Sequence, residues 1–211
     1  MRKIDPAKHR ARRRHIVHTA AQLFAAKGFE RTTTAEICKA AGMSSGNLFH
    51  YFPNKRAIFH ALFEDDAGDT GESKAERLAR AQAGDDPWEA LLEVVDLLTA
   101  DAMDPAAPPL VMEAVVQVHR DPELDALLGR DNALEHTALT TLLTRAAAAG
   151  QIDPALDPHD AATWVQALIA SLYSSAAADP AFKPAEQLPV LHLILQRFLQ
   201  APPHRENTPE A

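Results

Sequence analysis

The sequence predicts an all-α protein, with an N-terminal three-helix unit followed by a larger C-terminal helical bundle. Three observations predict it. Apolar residues recur at three- and four-residue spacings along most of the chain, and helix-opening signals precede these stretches: Thr33 with Glu36 three residues on, then Asp86-Pro87, Asp121-Pro122 and Asp157-Pro158. No segment alternates with the period of two that marks a half-buried strand, and no internal repeat is found.

Residues 1–9 are expected to form a mobile arm, and a first helix is expected from about Lys8 to Lys27, with Ile16, Ala20, Leu23 and Phe24 along one stripe and Gly28 ending it. The capping box at Thr33 and Glu36 opens a second helix over Thr34–Ala41. Gly42 then supplies a left-handed residue, and the Ser44 hydroxyl caps a third helix over Ser45–Phe52. Two helices joined by about four residues that include Gly make a helix-turn-helix. On the third helix Leu48 and Phe52 share one face, while Asn47, His50 and Tyr51 share the other. Pro53 breaks the pattern, and Asn54 caps a fourth helix from Lys55 whose stripe is Ile58, Phe59, Leu62 and Phe63.

Residues 64–86 are acidic and contain Gly; they read as the end of that helix, a mobile loop and a further short helix. Asp86 and Pro87 open a helix carrying Trp88, Leu91, Leu92, Val95 and Leu98 inward. A loop over Asp104–Pro109 precedes LVMEAVVQV, expected to be buried on most sides. Asp121 and Pro122 open a stretch that runs to Ala149, with Gly129 as its weak point. Asp157 and Pro158 open a helix to about Ala178, a last helix covers about Ala185 to Gln200, and residues 201–211 are expected to be a disordered tail. The domain division expected is 1–54, 55–200 and the tail.

The formal net charge is −8, which taken alone argues against a nucleic-acid partner. Its distribution reverses that. Residues 1–60 hold twelve Lys and Arg against Asp5, Glu30 and Glu36, a balance of +9, whereas the remainder holds nine against twenty-six, or −17. A basic module on an acidic body is the electrostatic footprint of phosphate binding at one end. Lys55 and Arg56 stand in the first turn of the fourth helix, where the macrodipole disfavours cations by about 0.3 to 1 kcal/mol each. A phosphate seated on them would offset that cost.

The helix-turn-helix stretch resembles the DNA-binding segment of the TetR (tetracycline-repressor-like) family. The residues that carry the likeness are Thr32, Thr33, Ile37, Ala41, Gly42, Ser44, Gly46, Leu48, Phe49, Tyr51, Phe52 and Lys55. It is specific over roughly residues 10–64 and weak beyond. Cys38 stands where the family usually has Ala, Phe49 where it has Tyr, and Arg56 where an acid is common. The resemblance implies a helix-turn-helix DNA-binding domain, then a bundle for effector binding and dimerisation, and a regulator that represses transcription until an effector releases it. Together with the outward face of the third helix, it assigns Thr33, Ser44, Ser45, Gly46, Asn47, His50, Tyr51 and Lys55 to DNA. Asn47 suits adenine, and His50 can reach base edges or phosphate.

One recognition helix reads few base pairs, so a homodimer on a palindromic double-stranded operator is expected, its two readers about 34 to 36 Å apart or a multiple of that. The helices over Asp131–Ala149 and His159–Ala178, rich in small residues, are the expected dimer interface. A small apolar or amphipathic effector is expected among Trp88, Leu92, Val95, Met112, Val116, His119 and Trp164. There is no Gly-rich phosphate loop, Cys cluster, metal-type His/Glu repeat or nucleophile elbow, so no catalytic residue, metal or cofactor is expected. Cys38 reads as packing. With one cysteine, no secretory stretch and no membrane-length apolar run, a cytoplasmic protein with no membrane partner is the expectation. Two other readings stay open: a helical dimer that binds DNA without sequence preference, and an enzyme built in the C-terminal bundle.

Overall fold

The computed structural model describes residues 6–64 and 71–200. These form ten α-helices and one 3₁₀ turn, with no strand among the described residues. Residues 1–5 of the expected arm, residues 65–70 of the expected loop and the expected tail over 201–211 lie outside them.

Helix α1 spans Pro6–Lys27. Residues 6–9 are therefore helical where an arm was expected, because Pro6 occupies the first helical position, where its fixed φ favours a helix and its missing N–H costs nothing. Helix α2 (Thr34–Ala40) opens on the predicted capping box, α3 (Ser45–Tyr51) on Ser44, and α4 (Lys55–His60) on Asn54, whose side chain accepts from the Ala57 N–H at 2.8 Å. Gly42, between α2 and α3, has φ +63°, which an L side chain adopts only with strain. Helix α4 is shorter than its apolar stripe, and Leu62 and Phe63 follow it in a turn that still packs inward.

The body comprises α5 (Lys74–Gln82), α6 (Pro87–Thr99), the 3₁₀ turn (Ala100–Met103), α7 (Ala107–Val118), α8 (Pro122–Ala148), α9 (Pro158–Ala178) and α10 (Pro184–Leu199). The carboxylates of Asp86, Asp121 and Asp157 each cap the helix they precede, as the sequence predicts. Gly129 does not break α8, which runs for 27 residues. Helix α8 packs on α6 and α9, α9 also receives α7 and α10, and α7 reaches across to α1.

Two apolar cores result. The larger lies among α5, α6, α8, α9 and α10, where Leu91, Val94, Leu139, Leu142, Leu143 and Val165 are fully buried. The Tyr173 hydroxyl crosses this core to donate to the Leu98 carbonyl at 2.9 Å, and burial, with Asp101 and Glu135 adding to it, pushes the phenol well above its ordinary range. The smaller core holds Ile16, Phe24, Ile37, Leu48, Ile58 and Phe59, and it is completed by Leu110 and Ala114 of α7 and Leu124 of α8. Contrary to expectation, α7 is not buried on most sides. Its inner face is Leu110, Ala114 and Gln117, while Val115 and Val116 turn outward and are 53% and 58% exposed.

Candidate nucleic-acid interface

Local bonds fix the angle between α1 and α2. The Thr33 hydroxyl accepts from the Glu36 N–H at 3.2 Å, and the Thr33 N–H donates to the Glu36 carboxylate at 2.9 Å. That carboxylate also takes the Lys27 ammonium at the end of α1. The Lys27 bond first, then the Thr33 N–H and hydroxyl, hold the Glu36 carboxyl down to about 2. Thr32, 1% exposed, donates its hydroxyl to the Gly28 carbonyl at 2.9 Å and so ties the turn back onto α1. Gly28 itself has φ +79°, and a Cβ there would come within 3.0 Å of the Glu113 carboxylate of α7. The positive φ favours glycine here, while the Glu113 side chain could move aside for a Cβ.

Helix α3 divides as the sequence predicts. Leu48 and Phe52 are buried, at 0% and 2% exposure, while Ser44, Ser45, Gly46, Asn47 and His50 are exposed and Tyr51 is half-buried. Phe49 is 50% exposed. The Ser44 hydroxyl is engaged as the cap, accepting from the Asn47 N–H at 3.3 Å, and Thr33 is likewise occupied by its capping box. Asn47 and His50 have no such local role and present donors and acceptors outward, the chemistry that reads base edges in a major groove.

Lys55 is a correction. Its ammonium donates to the carbonyls of Phe29 at 2.7 Å, Thr32 at 2.9 Å and Glu30 at 3.3 Å, and it lies 4.3 Å from the centre of the Phe29 ring. All three donors are spent. What offsets the unfavourable helix dipole at this position is the ring of carbonyls in the α1–α2 turn, not a phosphate. Arg56, though exposed, meets Asp121 at 3.3 Å; Arg13 pairs with Glu64 and covers the Phe52 ring. Sequence reasoning missed the Asp121 junction, where His60 Nε2 stands 2.7 Å from the same carboxylate oxygen. Its only advance signal was an Asp-Pro pair, which marks a helix start and says nothing of partners across the chain.

The expected effector residues do not converge. Val95 is fully buried in the main core, Trp88 packs half-buried against it, and Leu92 lines an open groove of about 520 Å³ beside Glu89, Glu93 and Asp96. Met112 is half-buried on α7. Val116, His119 and Trp164 are exposed, Trp164 by 62%, because α7 packs through Leu110 and Ala114 on the smaller core and α9 through Ala161, Ala162 and Val165 on the larger.

Within the chain α8 and α9, the helices expected at the dimer interface, pack on each other. The outward Thr137, Thr141 and Thr144 of α8 spend their hydroxyls on their own helix backbone. Apolar side chains are also open on α9 and α10, where Trp164, Val190, Leu193 and Ile194 are 62%, 46%, 44% and 44% exposed. Among the described residues no helix is long and apolar enough to cross a membrane.

A capped helix-turn-helix whose second helix buries Leu48 and offers Asn47 and His50, carried on a helical bundle, defines a DNA-binding transcription regulator. Residues 16–62 match the model for bacterial regulatory proteins of the tetR family, and residues 87–200 match that for the C-terminal region of BetI-type transcriptional repressors. The chain belongs to the TetR family. It is 43% identical over 56 residues to the transcriptional repressor Rv1474c of Mycobacterium tuberculosis, covering 26% of this chain and 30% of that protein. It is 26% identical over 142 residues to the regulator UidR of Escherichia coli K12, covering 67% of this chain and 69% of that one. Among solved structures, Salmonella enterica GusR superposes with a TM-score of 0.66 at 26% identity, over 90% of this chain and 95% of its own.

Proposed function

We propose that two copies of this chain bind one palindromic operator, each laying α3 in the major groove with Asn47 and His50 at base edges or phosphates. The observation that carries the reading is the division of α3, with Leu48 fully buried and Asn47 and His50 exposed on a polar face inside a basic module. The apolar surface of α9 and α10 supplies the dimer contact, which gives Trp164 a role at that interface and not in an effector pocket. Thr33 and Ser44 serve the reader mainly as caps, with Ser45 and Gly46 at its near edge and Tyr51 at the rim.

Release by a small effector in the body is the second half of the proposal. Two proteins of this fold were solved with ligands of different chemistry: Bacillus subtilis FadR with stearoyl-CoA, at 21% identity and a TM-score of 0.69, and a Saccharomonospora viridis regulator with choline, at 17% and 0.74. At that distance they support the fold alone. In this chain Trp88 and Leu92, four residues apart on one face of α6, are the candidate effector contacts.

Selection of duplexes from random-sequence DNA, followed by titration against the selected and scrambled duplexes at matched salt, tests the reading. A palindrome with half-sites about one helical turn apart, or a multiple of it, is expected, and light scattering should give a dimer in solution. Asn47→Ala should relax the preference at one base position by about 1 to 3 kcal/mol. Equal affinity for selected and scrambled DNA would sink sequence-specific regulation in favour of non-specific binding.

A further inference from the structure

The first turns of α1 are not directed away from the reader. The His9 ring lies on Tyr51, the last residue of α3, with centroids 4.7 Å apart and planes tilted by 32°. It also faces the edge of His50 at 6.2 Å, and His50 meets Tyr51 at 5.5 Å. Three rings from two helices therefore form one cluster at the end of α3. Helix α3 has seven residues, about 10 Å of rise, and the major groove is about 12 Å wide. A group fixed beyond the last residue of such a helix stands at the groove's rim, where the phosphates run.

Among the described residues, the charges near His9 in sequence are of one sign. On its own helix stand Lys8, Arg10, Arg12 and Arg13, and from α3 it meets His50 and Tyr51. Glu64, beyond α4, is taken up by Arg13. A phosphate within hydrogen-bond distance favours the protonated form of an imidazole. Imidazole ordinarily changes charge between pH 5 and 8, and its protonated form donates from both nitrogens.

We propose that the first turns of α1 and the outer face of α3 form one DNA-contacting surface, in which His9 is a direct, proton-dependent phosphate contact held in place by Tyr51. The proposal rests on the regulator reading above and adds a contact from outside the helix-turn-helix. Proton uptake at His9, together with any at His50, makes operator binding tighter at lower pH.

The test is the affinity of the full chain for its selected duplex at pH 8 and pH 6, at fixed salt. Wild type should bind roughly fivefold tighter at pH 6. His9→Phe keeps a ring against Tyr51 but cannot be protonated, so it should bind more weakly than wild type at pH 6 and lose about half of the pH response, on the order of what one imidazole supplies. His9→Lys carries a permanent charge and should bind at pH 8 at least as tightly as wild type does there, with a reduced pH response. Thermal melting of each variant separates a lost contact from a lost fold. If His9→Phe and His9→Lys both keep wild-type affinity and pH response, or if His50→Phe alone abolishes the response, the proposal is overturned. Failure of wild type to bind any selected duplex would overturn the regulator reading and this contact with it.

Discussion

The reader, α1 to α4, and the body, α5 to α10, are both helical and capped by the same chemistry, yet they are held together differently. The body is a bundle whose core closes on itself, with Leu91, Leu139, Leu142 and Val165 fully buried among its own helices. The reader's core does not close. Leu110, Ala114 and Leu124 of the body fill one side of it, and Glu113 presses on Gly28 where α1 ends. A recognition helix of seven residues is too short to be stable alone in water, so its orientation depends on what it packs against. The contrast teaches that the body is a structural part of the reader, and the shared core gives a conformational change in the body a physical route to α3 by way of α1 and α4.

Leu124→Ala should show the largest effect. The side chain is fully buried, belongs to α8 and sits in the reader's core. Truncation should cost about 3 kcal/mol, from lost transfer energy plus the cavity left behind. Hydrogen exchange locates the loss: protection should fall in α1 and α4 together with the start of α8. Unchanged exchange in α1 and α4 would mean that the reader is an independent unit after all.

Lys55→Met is the next test in size. Removing the ammonium leaves the carbonyls of Phe29, Glu30 and Thr32 without their donor, at an expected cost of about 2 kcal/mol. Because the donors are spent inside the protein, the salt dependence of DNA binding should keep its slope. A slope reduced by about one with unchanged stability would restore the phosphate role that the helix-dipole argument first suggested.

That case shows what was legible in the sequence and what was not. The caps at Thr33, Ser44, Asn54, Asp86, Asp121 and Asp157 are all where the residue types place them, because a cap is satisfied within three residues and needs no tertiary information. The split of α3 into a buried Leu48 and an outward Asn47 follows from helical period alone. The unfavourable charge of Lys55 was also readable, and correctly demanded a partner. Which partner answered it depends on where the α1–α2 turn lies in space, 23 to 26 residues away. For the same reason Trp164 and Val116, apolar on helices with more than one apolar face, could not be assigned to a pocket or a surface until the neighbours of α7 and α9 were known. Small residues suit packing both within a chain and between copies, so those on α8 could not by themselves place a dimer surface.

The smallest expected effect, and the one that most sharpens the contrast, is at Asp121. This residue caps α8 by accepting from the Leu124 N–H at 3.2 Å, while its other oxygen meets His60 at 2.7 Å and Arg56 at 3.3 Å, both from α4. It is 7% exposed. Burial pushes its carboxyl up, but the His60 bond, the Leu124 N–H and the charges of His60 and Arg56 outweigh burial and hold it below the usual range. A lowered native value means that the unfolded chain binds the proton first. The carboxylate's contribution is therefore complete above about pH 4 and is lost as the pH falls through the native value. Asp121→Asn keeps an acceptor for the α8 cap and removes only the charge, so it should cost about 1 to 2 kcal/mol at pH 7. In urea titrations the gap between wild type and variant should narrow as the pH is taken from 5 towards 3. A gap that stays constant over that range would assign the loss to packing, and the tie between reader and body would then rest on Leu110, Ala114 and Leu124 alone.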